Sequence, residues 1–190
     1  ANGGTVTTTT QTWGSAGTID YNAAGDQTIT TGGGTTSSGH NPSCLMTLSN
    51  SGIKSMFGDL YLTSTGSATV QVLTVNSGVT LSTNGNMIRF NNAGPSDGTG
   101  RLLYINSGGS VANSSGMLKF QANAWGGGIF APTGTSLGAI RLSFTTSTNN
   151  MGINPVGTNP NITIGSLTTD STAGGTLRGS VTAASNITVS

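Results

Sequence analysis

Charge is scarce in this 190-residue chain, and glutamate is absent altogether. Charged residues make up 6% of the sequence, against roughly 25% in typical soluble domains. Catalysis by paired carboxylates, as in glycoside hydrolysis, needs two acids that flank one bond. Asp20 and Asp26 border one predicted turn and allow at most a weak calcium or sugar contact. The sequence therefore predicts that the protein is not an enzyme; its acids are Asp20, Asp26, Asp59, Asp97 and Asp170.

Histidine and cysteine occur once each, which limits catalytic and metal chemistry further. His40 lies in a Gly/Ser loop without a nucleophile-elbow sequence, so a Ser-His-Asp arrangement is not favoured. Cys44 has no partner for an internal disulfide or a thiolate cluster, and we predict a small buried residue at the start of a strand. The glycine runs 32–34 and 126–128 lack the Lys-Ser/Thr of a phosphate loop. We expect no catalytic residue, no metal site and no cofactor.

Long apolar runs and basic runs are missing as well. No stretch approaches the roughly 20 apolar residues that span a bilayer, so membrane insertion is not predicted. The net charge is +1, which gives no general attraction to nucleic acid. Ala1 is a plausible N-terminus after removal of a signal peptide, and we expect a secreted bacterial or cell-surface protein. The cations look scattered, without a patch: Lys54, Arg89, Arg101, Lys119, Arg141 and Arg178.

What the chain does have is an alternation of apolar and small polar residues, clearest over residues 70–90. This period of two predicts short strands, here Val70–Val75, Val79–Leu81 and Met87–Phe90, with Ser-Gly and Asn-Gly corners between them. The pattern returns at intervals of about 20 residues, which predicts eight or nine stacked coils. No helical spacing occurs over a window of helical length. The predicted fold is all-β: a β-solenoid, or a closely related stacked β-sandwich with extended terminal strands.

The chain divides into an extended N-terminal arm, residues 1–13, and one β-solenoid-like domain, residues 14–190. The arm and the last sixteen residues carry little of the charge or proline that normally protects an exposed strand edge. One hypothesis is that a terminal segment adds as a strand to a neighbouring copy; the alternative is that both termini cap their own solenoid. The candidates for an inter-subunit strand are Thr5, Val6, Thr7, Thr8, Thr9, Thr10, Trp13, Ile187 and Val189.

Several motifs occur in a familiar order. Residues 17–22 read Gly-Thr-Ile-Asp-Tyr-Asn, residues 27–29 read Gln-Thr-Ile, and residues 73–81 read Leu-Thr-Val-Asn-Ser-Gly-Val-Thr-Leu. This order resembles the arrays of secreted β-solenoid repeat proteins, especially those of Bacteroidota-like bacteria, over roughly residues 17–90. The resemblance implies a right-handed β-helix or a related stacked-strand fold in an extracellular structural or adhesive role.

Three functions remain open at this point. We favour a subunit of a homopolymeric filament, sheath or matrix fibre that assembles head to tail. The alternative is a cell-surface carbohydrate-binding or adhesin module, in which aromatic residues such as Tyr61 or Trp125 would contact extracellular glycans. An ice-binding β-solenoid is the third, because Thr-x-Thr occurs at 8–12, 28–30 and 133–135. Ice binding needs these threonines in one flat rank, and their uneven spacing disfavours it.

Overall fold

A computed structural model describes residues 17–29, 45–62, 70–90, 100–121, 127–143, 149–155, 162–169, 175–178, 181–183 and 187–189. The proposed arm, residues 1–13, lies outside these ranges. Within them the chain forms strands and turns and no helix, as the sequence predicts. The strands are β1 (Thr18–Tyr21), β2 (Gln27–Ile29), β3 (Leu45–Leu48), β4 (Gly52–Met56), β5 (Leu60–Leu62), β6 (Gln71–Val75), β7 (Val79–Ser82), β8 (Met87–Phe90), β9 (Gly100–Ile105), β10 (Ser110–Ala112), β11 (Met117–Phe120), β12 (Gly127–Ala131), β13 (Ser136–Leu142), β14 (Asn149–Pro155), β15 (Ile162–Thr169), β16 (Gly175–Arg178), β17 (Val181–Ala183) and β18 (Ile187–Val189).

The strands form three sheets in which every described pairing is parallel. Sheet 1 runs β1-β3-β6-β9-β12-β14-β16, sheet 2 runs β2-β4-β7-β10, and sheet 3 runs β5-β8-β11-β13-β15-β17 with β18 also beside β15. From β1 to β17, consecutive strands along the chain belong to different sheets, so each turn of the chain adds one level, here called a rung. This is a β-solenoid, and the prediction of its fold class is confirmed. Parallel pairing through a stack of turns replaces the face-to-face packing of a sandwich.

The prediction of a repeat of about 20 residues and eight or nine coils is wrong for most of the chain; only the described pairings of β15 with β17 and β18 and of β11 with β13 span 19, 20 and 22 residues. Met46 pairs with Leu73 and Leu73 with Leu103, which are separations of 27 and 30 residues. Ile129 pairs with Ile153, a separation of 24 residues. The alternation predicts the strands and the tight corners. The length of one coil of the solenoid also includes the longer connections, which have no periodic pattern. The rungs are accordingly longer and fewer, and sheet 1 has seven strands.

The core is the space that the three sheets enclose. In β3, β5, β8 and β11 every second residue is fully buried, as a strand with one face inward requires. Equivalent side chains stack from rung to rung: the Phe90 and Phe120 rings are parallel, with centroids 4.8 Å apart. Burial of each such side chain stabilises the fold by about 1.5–3 kcal/mol. Continuous stacking along the solenoid is therefore the main source of its stability.

Corners of small residues connect sheet 1 to sheet 2. The Gly78 amide donates to the Gly108 carbonyl one rung above, and the Gly52 amide donates to the Gly78 carbonyl, at 3.0 and 3.1 Å. The three glycines have φ near +80°, which L side chains rarely adopt. Beside them, the side-chain Nδ2 atom of Asn106 donates to Asn76 Oδ1 at 2.7 Å. The corners are thus hydrogen-bonded stacks, which explains why Ser-Gly and Asn recur there.

Sheet 2 ends at β10 among the described residues, while sheets 1 and 3 continue. The long strand β13 begins beside β10 and runs on into sheet 3. Asn113 is buried at this junction, where its Oδ1 accepts a hydrogen bond from the Gly138 amide at 2.6 Å. A Cβ on residue 138 would lie 2.2 Å from the Asn113 carbonyl oxygen, so glycine is required there. The cross-section of the solenoid changes at this junction.

Candidate functional site

Most of the residues that the sequence singled out for assembly or chemistry lie outside the described ranges. These are Thr5 to Thr10, Trp13, His40, Cys44 and Trp125. Ile187 and Val189 belong to β18, whose backbone pairs with β15 of the same chain through Leu167↔Ile187 and Thr169↔Val189. One edge of that strand is therefore occupied by the chain itself, and a role between subunits would use the opposite edge.

The three described aspartates hold neighbouring rungs together. Asp20 Oδ1 accepts from the Ser49 hydroxyl at 2.6 Å, Asp26 Oδ1 from the Ile53 amide at 2.8 Å, and Asp59 Oδ1 from the Met87 amide at 2.8 Å. Each bond joins residues 27 to 29 positions apart, which is one turn of the solenoid. Within the described part of the chain, no group of three His, Cys, Asp or Glu side chains is placed to hold a metal ion. These carboxylates therefore stabilise the contact between successive rungs.

Three cations that look scattered in the sequence form one line on the outer face of sheet 3. Arg89 in β8 pairs with Lys119 in β11, and Lys119 pairs with Arg141 in β13. We call these three residues the basic rank. Tyr61 pairs with Arg89 at its lower end, and Thr168 pairs with Arg141 at its upper end. The expectation that the cations form no patch is wrong for these three, because parallel register brings residues 30 and 22 positions apart into adjacent strands.

The basic rank concentrates positive charge on one surface. Neighbouring strands of a sheet are about 4.8 Å apart, so the three side chains start from backbone positions at that interval. The strands β8, β11 and β13 contain no acidic residue. A fold that places three cations side by side creates a site that attracts negative charge.

The lower end of the basic rank is held by an aromatic ring. The Arg89 Cζ atom lies 5.3 Å from the centroid of the Tyr61 ring, a cation–π contact that fixes the plane of the guanidinium group. The Arg89 Nε atom is buried and makes no hydrogen bond. Tyr61 was considered from the sequence as a sugar-stacking residue; the structure places it where it orients Arg89.

A shallow groove of about 540 Å³ lies beside the basic rank. Its floor includes Gly138, Ala139 and Ser166, and it extends to the end of sheet 2 at Val111 and Ala112. Ala139 lies two residues before Arg141 on β13 and therefore shares its face, and Ser166 pairs with Ala139. In β11, one rung below, the equivalent position is occupied by Met117. The groove exists because the upper rungs have the smaller residues Ala139 and Ser166 at this position.

No protein-family model, curated protein or solved structure matches this chain. The resemblance to bacterial β-solenoid repeats therefore stays a prediction, and the site is interpreted from its own geometry. No helix in the described ranges is long and apolar enough to cross a membrane. The Thr-x-Thr pairs that suggested ice binding do not share one rank where they are described, since Thr28 lies in β2 and Thr133 and Thr135 lie in a corner after β12.

A second cluster of a cation and aromatic rings lies on the outer face of sheet 1. The Arg101 Cζ atom is 5.1 Å from the centroid of the Tyr104 ring and 5.4 Å from that of Phe130. The two rings stack on each other with centroids 6.2 Å apart. This guanidinium group is already covered by the two rings, and a single cation lacks the repeated charge of the basic rank.

One lysine belongs to the core and not to the surface. Lys54 in β4 is fully buried, and its Nζ donates to the carbonyl oxygens of Ala23, Gly25 and Ser51 at 2.6, 2.9 and 2.9 Å. The three donors of an ammonium group are thereby satisfied. Burial lowers the pKa of Lys54 from its ordinary value of 10.5, and the charges of Asp26 and then Asp20 oppose that shift.

The lowered pKa of Lys54 predicts a dependence of stability on alkaline pH. Below the folded-state pKa both states bind the proton, and the cost of burying the charge is constant. Between that pKa and 10.5 the unfolded state binds more protons than the folded state, so the free energy of unfolding rises with pH. We expect the difference between the wild type and Lys54→Met, measured by urea denaturation, to grow across this window. A difference that is flat or falls with pH would contradict the assignment.

Proposed function

We propose that this chain is a subunit of an extracellular structural polymer, a filament, sheath or matrix fibre, in which copies stack head to tail. The observation that carries the proposal is the exclusively parallel pairing of the described strands. In a parallel stack the lower edge of one molecule and the upper edge of the next are complementary, so stacking continues the sheets without a change of direction. A contact of this head-to-tail kind does not close and generates a fibre.

The outermost strands of sheet 1 support this mode of association. Among the described residues, β1 pairs only with β3, and β16 pairs only with β14. Their sequences, Thr-Ile-Asp-Tyr and Gly-Thr-Leu-Arg, contain no proline, which would prevent pairing. The strand β1 contains Asp20, and β16 contains Arg178. Two β1 edges or two β16 edges would therefore repel each other, whereas a β1 edge attracts a β16 edge. Charge therefore favours the head-to-tail direction over an edge that pairs with its own kind.

The described charges are also separated along the solenoid axis. The acids Asp20, Asp26 and Asp59 belong to the first two rungs, while Asp97 and Asp170 lie outside the described residues. Apart from the buried Lys54, the cations belong to β8 and later strands: Arg89, Arg101, Lys119, Arg141 and Arg178. An acidic lower end and a basic upper part align successive copies by electrostatic attraction.

The lower rungs also expose apolar surface. Ile53 and Phe57 are the large apolar side chains that stand out among the described residues, with 43% and 73% of their surfaces exposed. Both lie in or just after β4, one rung above the lower edge. If a neighbouring copy covers these two side chains, the burial of their apolar surface adds to the free energy of association that strand pairing provides.

Fibre formation should depend on charge at the two outer strands. Asp20→Lys places a cation on β1 and removes the attraction, so we expect the critical concentration for assembly to rise about two- to fivefold, the usual worth of an exposed ion pair. Combining it with Arg178→Asp should restore most of the assembly, because the two signs are then exchanged while the loss of the Asp20–Ser49 hydrogen bond is common to both variants. Sedimentation over a concentration series, with negative-stain electron microscopy of the pellets, measures both effects.

Thr74→Lys is the matched control, because Thr74 lies two rungs inside the edge on the same face of sheet 1 and pairs with Thr47 and Tyr104, not with Asp20. It should leave assembly within the error of the wild type. Deletion of residues 1–12 tests the proposed arm separately: fibres that persist remove strand addition by the arm and keep edge stacking. A wild-type protein that sediments as a stable single particle at every concentration would overturn the proposal.

A further inference from the structure

We propose that the basic rank and the groove beside it bind a linear acidic polysaccharide, a chain of uronate or sulfated sugar units that lies along the solenoid axis. The inference is independent of the proposed polymer, because the site lies on the side of the molecule and not at its ends. It rests on the alignment of Arg89, Lys119 and Arg141 in adjacent strands and on the depression at Ala139 and Ser166.

The spacing of the rank selects a ligand with regularly repeated charge. The three cations rise with the rungs, about 4.8 Å each, in single file. A linear polymer whose acidic groups recur along its axis can follow such a file, because several of its charges then contact the rank at once. The phosphates along one strand of a DNA duplex advance by only about 3.4 Å, which loses register within the rank.

The neighbouring surface fits sugar rings better than it fits bases. Binding of single-stranded nucleic acid relies on aromatic side chains on which bases stack. Apart from Tyr61, whose ring contacts the Arg89 guanidinium group, the outer face of sheet 3 beside the rank presents the non-aromatic residues Met87, Met117, Ala139 and Ser166. The small residues leave room for a ring, and the hydroxyl groups of Ser166 and Thr168 can exchange hydrogen bonds with sugar hydroxyls.

The charge on the rank is arranged before any ligand arrives. Tyr61 contacts Arg89 from one side, and the Arg89 Nε atom is buried. The residues of the rank are half-buried, which limits the entropy lost when they bind. A carboxylate or sulfate oxygen that reaches the rank is attracted by more than one cation, and this favours bound over free ligand.

The test is titration of the wild-type protein with a long oligogalacturonate at low salt, followed by isothermal calorimetry or fluorescence. Neutral dextran and an oligo(dT) strand are the comparison ligands. We expect saturable binding of the oligogalacturonate alone, weakened at physiological salt because the Debye length falls to about 8 Å. Arg141→Gln should lower the affinity about five- to tenfold, and Lys119→Gln/Arg141→Gln should lower it further.

Arg101→Gln is the control, since it removes the same charge from the outer face of sheet 1 and should change affinity less than twofold. Ser166→Asp, which adds a negative charge beside the rank, should also weaken binding, and it provides a second variant if the glutamine variants unfold. Absence of saturable binding, an equal loss in Arg101→Gln, or tighter binding of oligo(dT) would each overturn the proposal. So would self-association without ligand that Lys119→Gln/Arg141→Gln abolishes, because a second copy would then occupy the face.

Discussion

Replacing Lys54 by alanine should lower the free energy of unfolding by about 3–5 kcal/mol, more than any single change on the outer faces. The substitution removes three hydrogen bonds to backbone carbonyl oxygens that the fold keeps away from water. Each buried acceptor left without a donor costs about 1–3 kcal/mol, and the lost aliphatic stem leaves a cavity as well. Urea denaturation at neutral pH, with constant slope, measures the loss.

Two further variants separate the contributions of charge and volume at position 54. Lys54→Met keeps the stem and removes the ammonium group, so it should retain the packing part of the stability and lose the hydrogen-bonding part. Lys119→Ala removes a half-buried lysine from the outer face of sheet 3 and should cost less than about 1 kcal/mol. If Lys54→Ala costs no more than Lys119→Ala, the three carbonyl groups find water instead, and Lys54 does not hold the corner.

The position of Lys54 connects core stability to the lower end of the solenoid. Its ammonium group reaches from the second rung to the corner of the first, where it holds Ala23 and Gly25. Asp26 stabilises the same corner, because its Oδ1 accepts a hydrogen bond from the Ile53 backbone amide. The first rung is thus attached by these polar contacts in addition to the buried side chain of Ile29. If copies join at this edge, its rigidity matters for assembly, and Lys54→Ala should impair fibre formation as well as folding.

The local structure could be predicted because it depends on neighbouring residues. The predicted strands at 70–75, 79–81 and 87–90 agree to within one residue with β6, β7 and β8. Alternation fixes which residues point inward, and Ser-Gly and Asn-Gly fix the corners. The length of a rung could not be predicted in the same way, because pairing between strands is a contact across 19 to 30 residues. The connections that set this distance have no periodic pattern.

The basic rank was missed for the same reason, although one signal for it exists in the sequence. Residues 87–90 read Met-Ile-Arg-Phe and residues 117–120 read Met-Leu-Lys-Phe, a repeated pattern in which a cation holds the third place. Residues 139–142, Ala-Ile-Arg-Leu, repeat it again in weaker form. Alignment of these segments would have placed the three cations together. Lys54 had a signal too, since it shares its face with Met56 two residues later.

Gly52→Ala is the other substitution that we expect to destabilise the fold strongly, by about 3–5 kcal/mol. Gly52 has φ +83°, a conformation that costs other L residues about 1–2 kcal/mol. A Cβ there would also lie 2.4 Å from the Gly25 carbonyl carbon, which is backbone and cannot swing away. The two rungs would have to separate at this corner, and the Gly52–Gly78 hydrogen bond would be strained with them. Thermal or urea unfolding of the purified variant measures the cost.

Gly25→Ala and Gly85→Ala isolate the part of this cost that comes from close approach. Both glycines have φ near +83°, yet a Cβ on either meets no atom within 4 Å, so each should cost only about 1–2 kcal/mol. The excess for Gly52→Ala then measures how firmly the rungs are held at their spacing. If the three variants are equally destabilised, the backbone at the Gly52 corner moves without a further cost in free energy, and the stack tolerates local separation of its rungs. A rigid corner, in contrast, holds the first two rungs at a fixed spacing, and the extra cost of Gly52→Ala measures that rigidity.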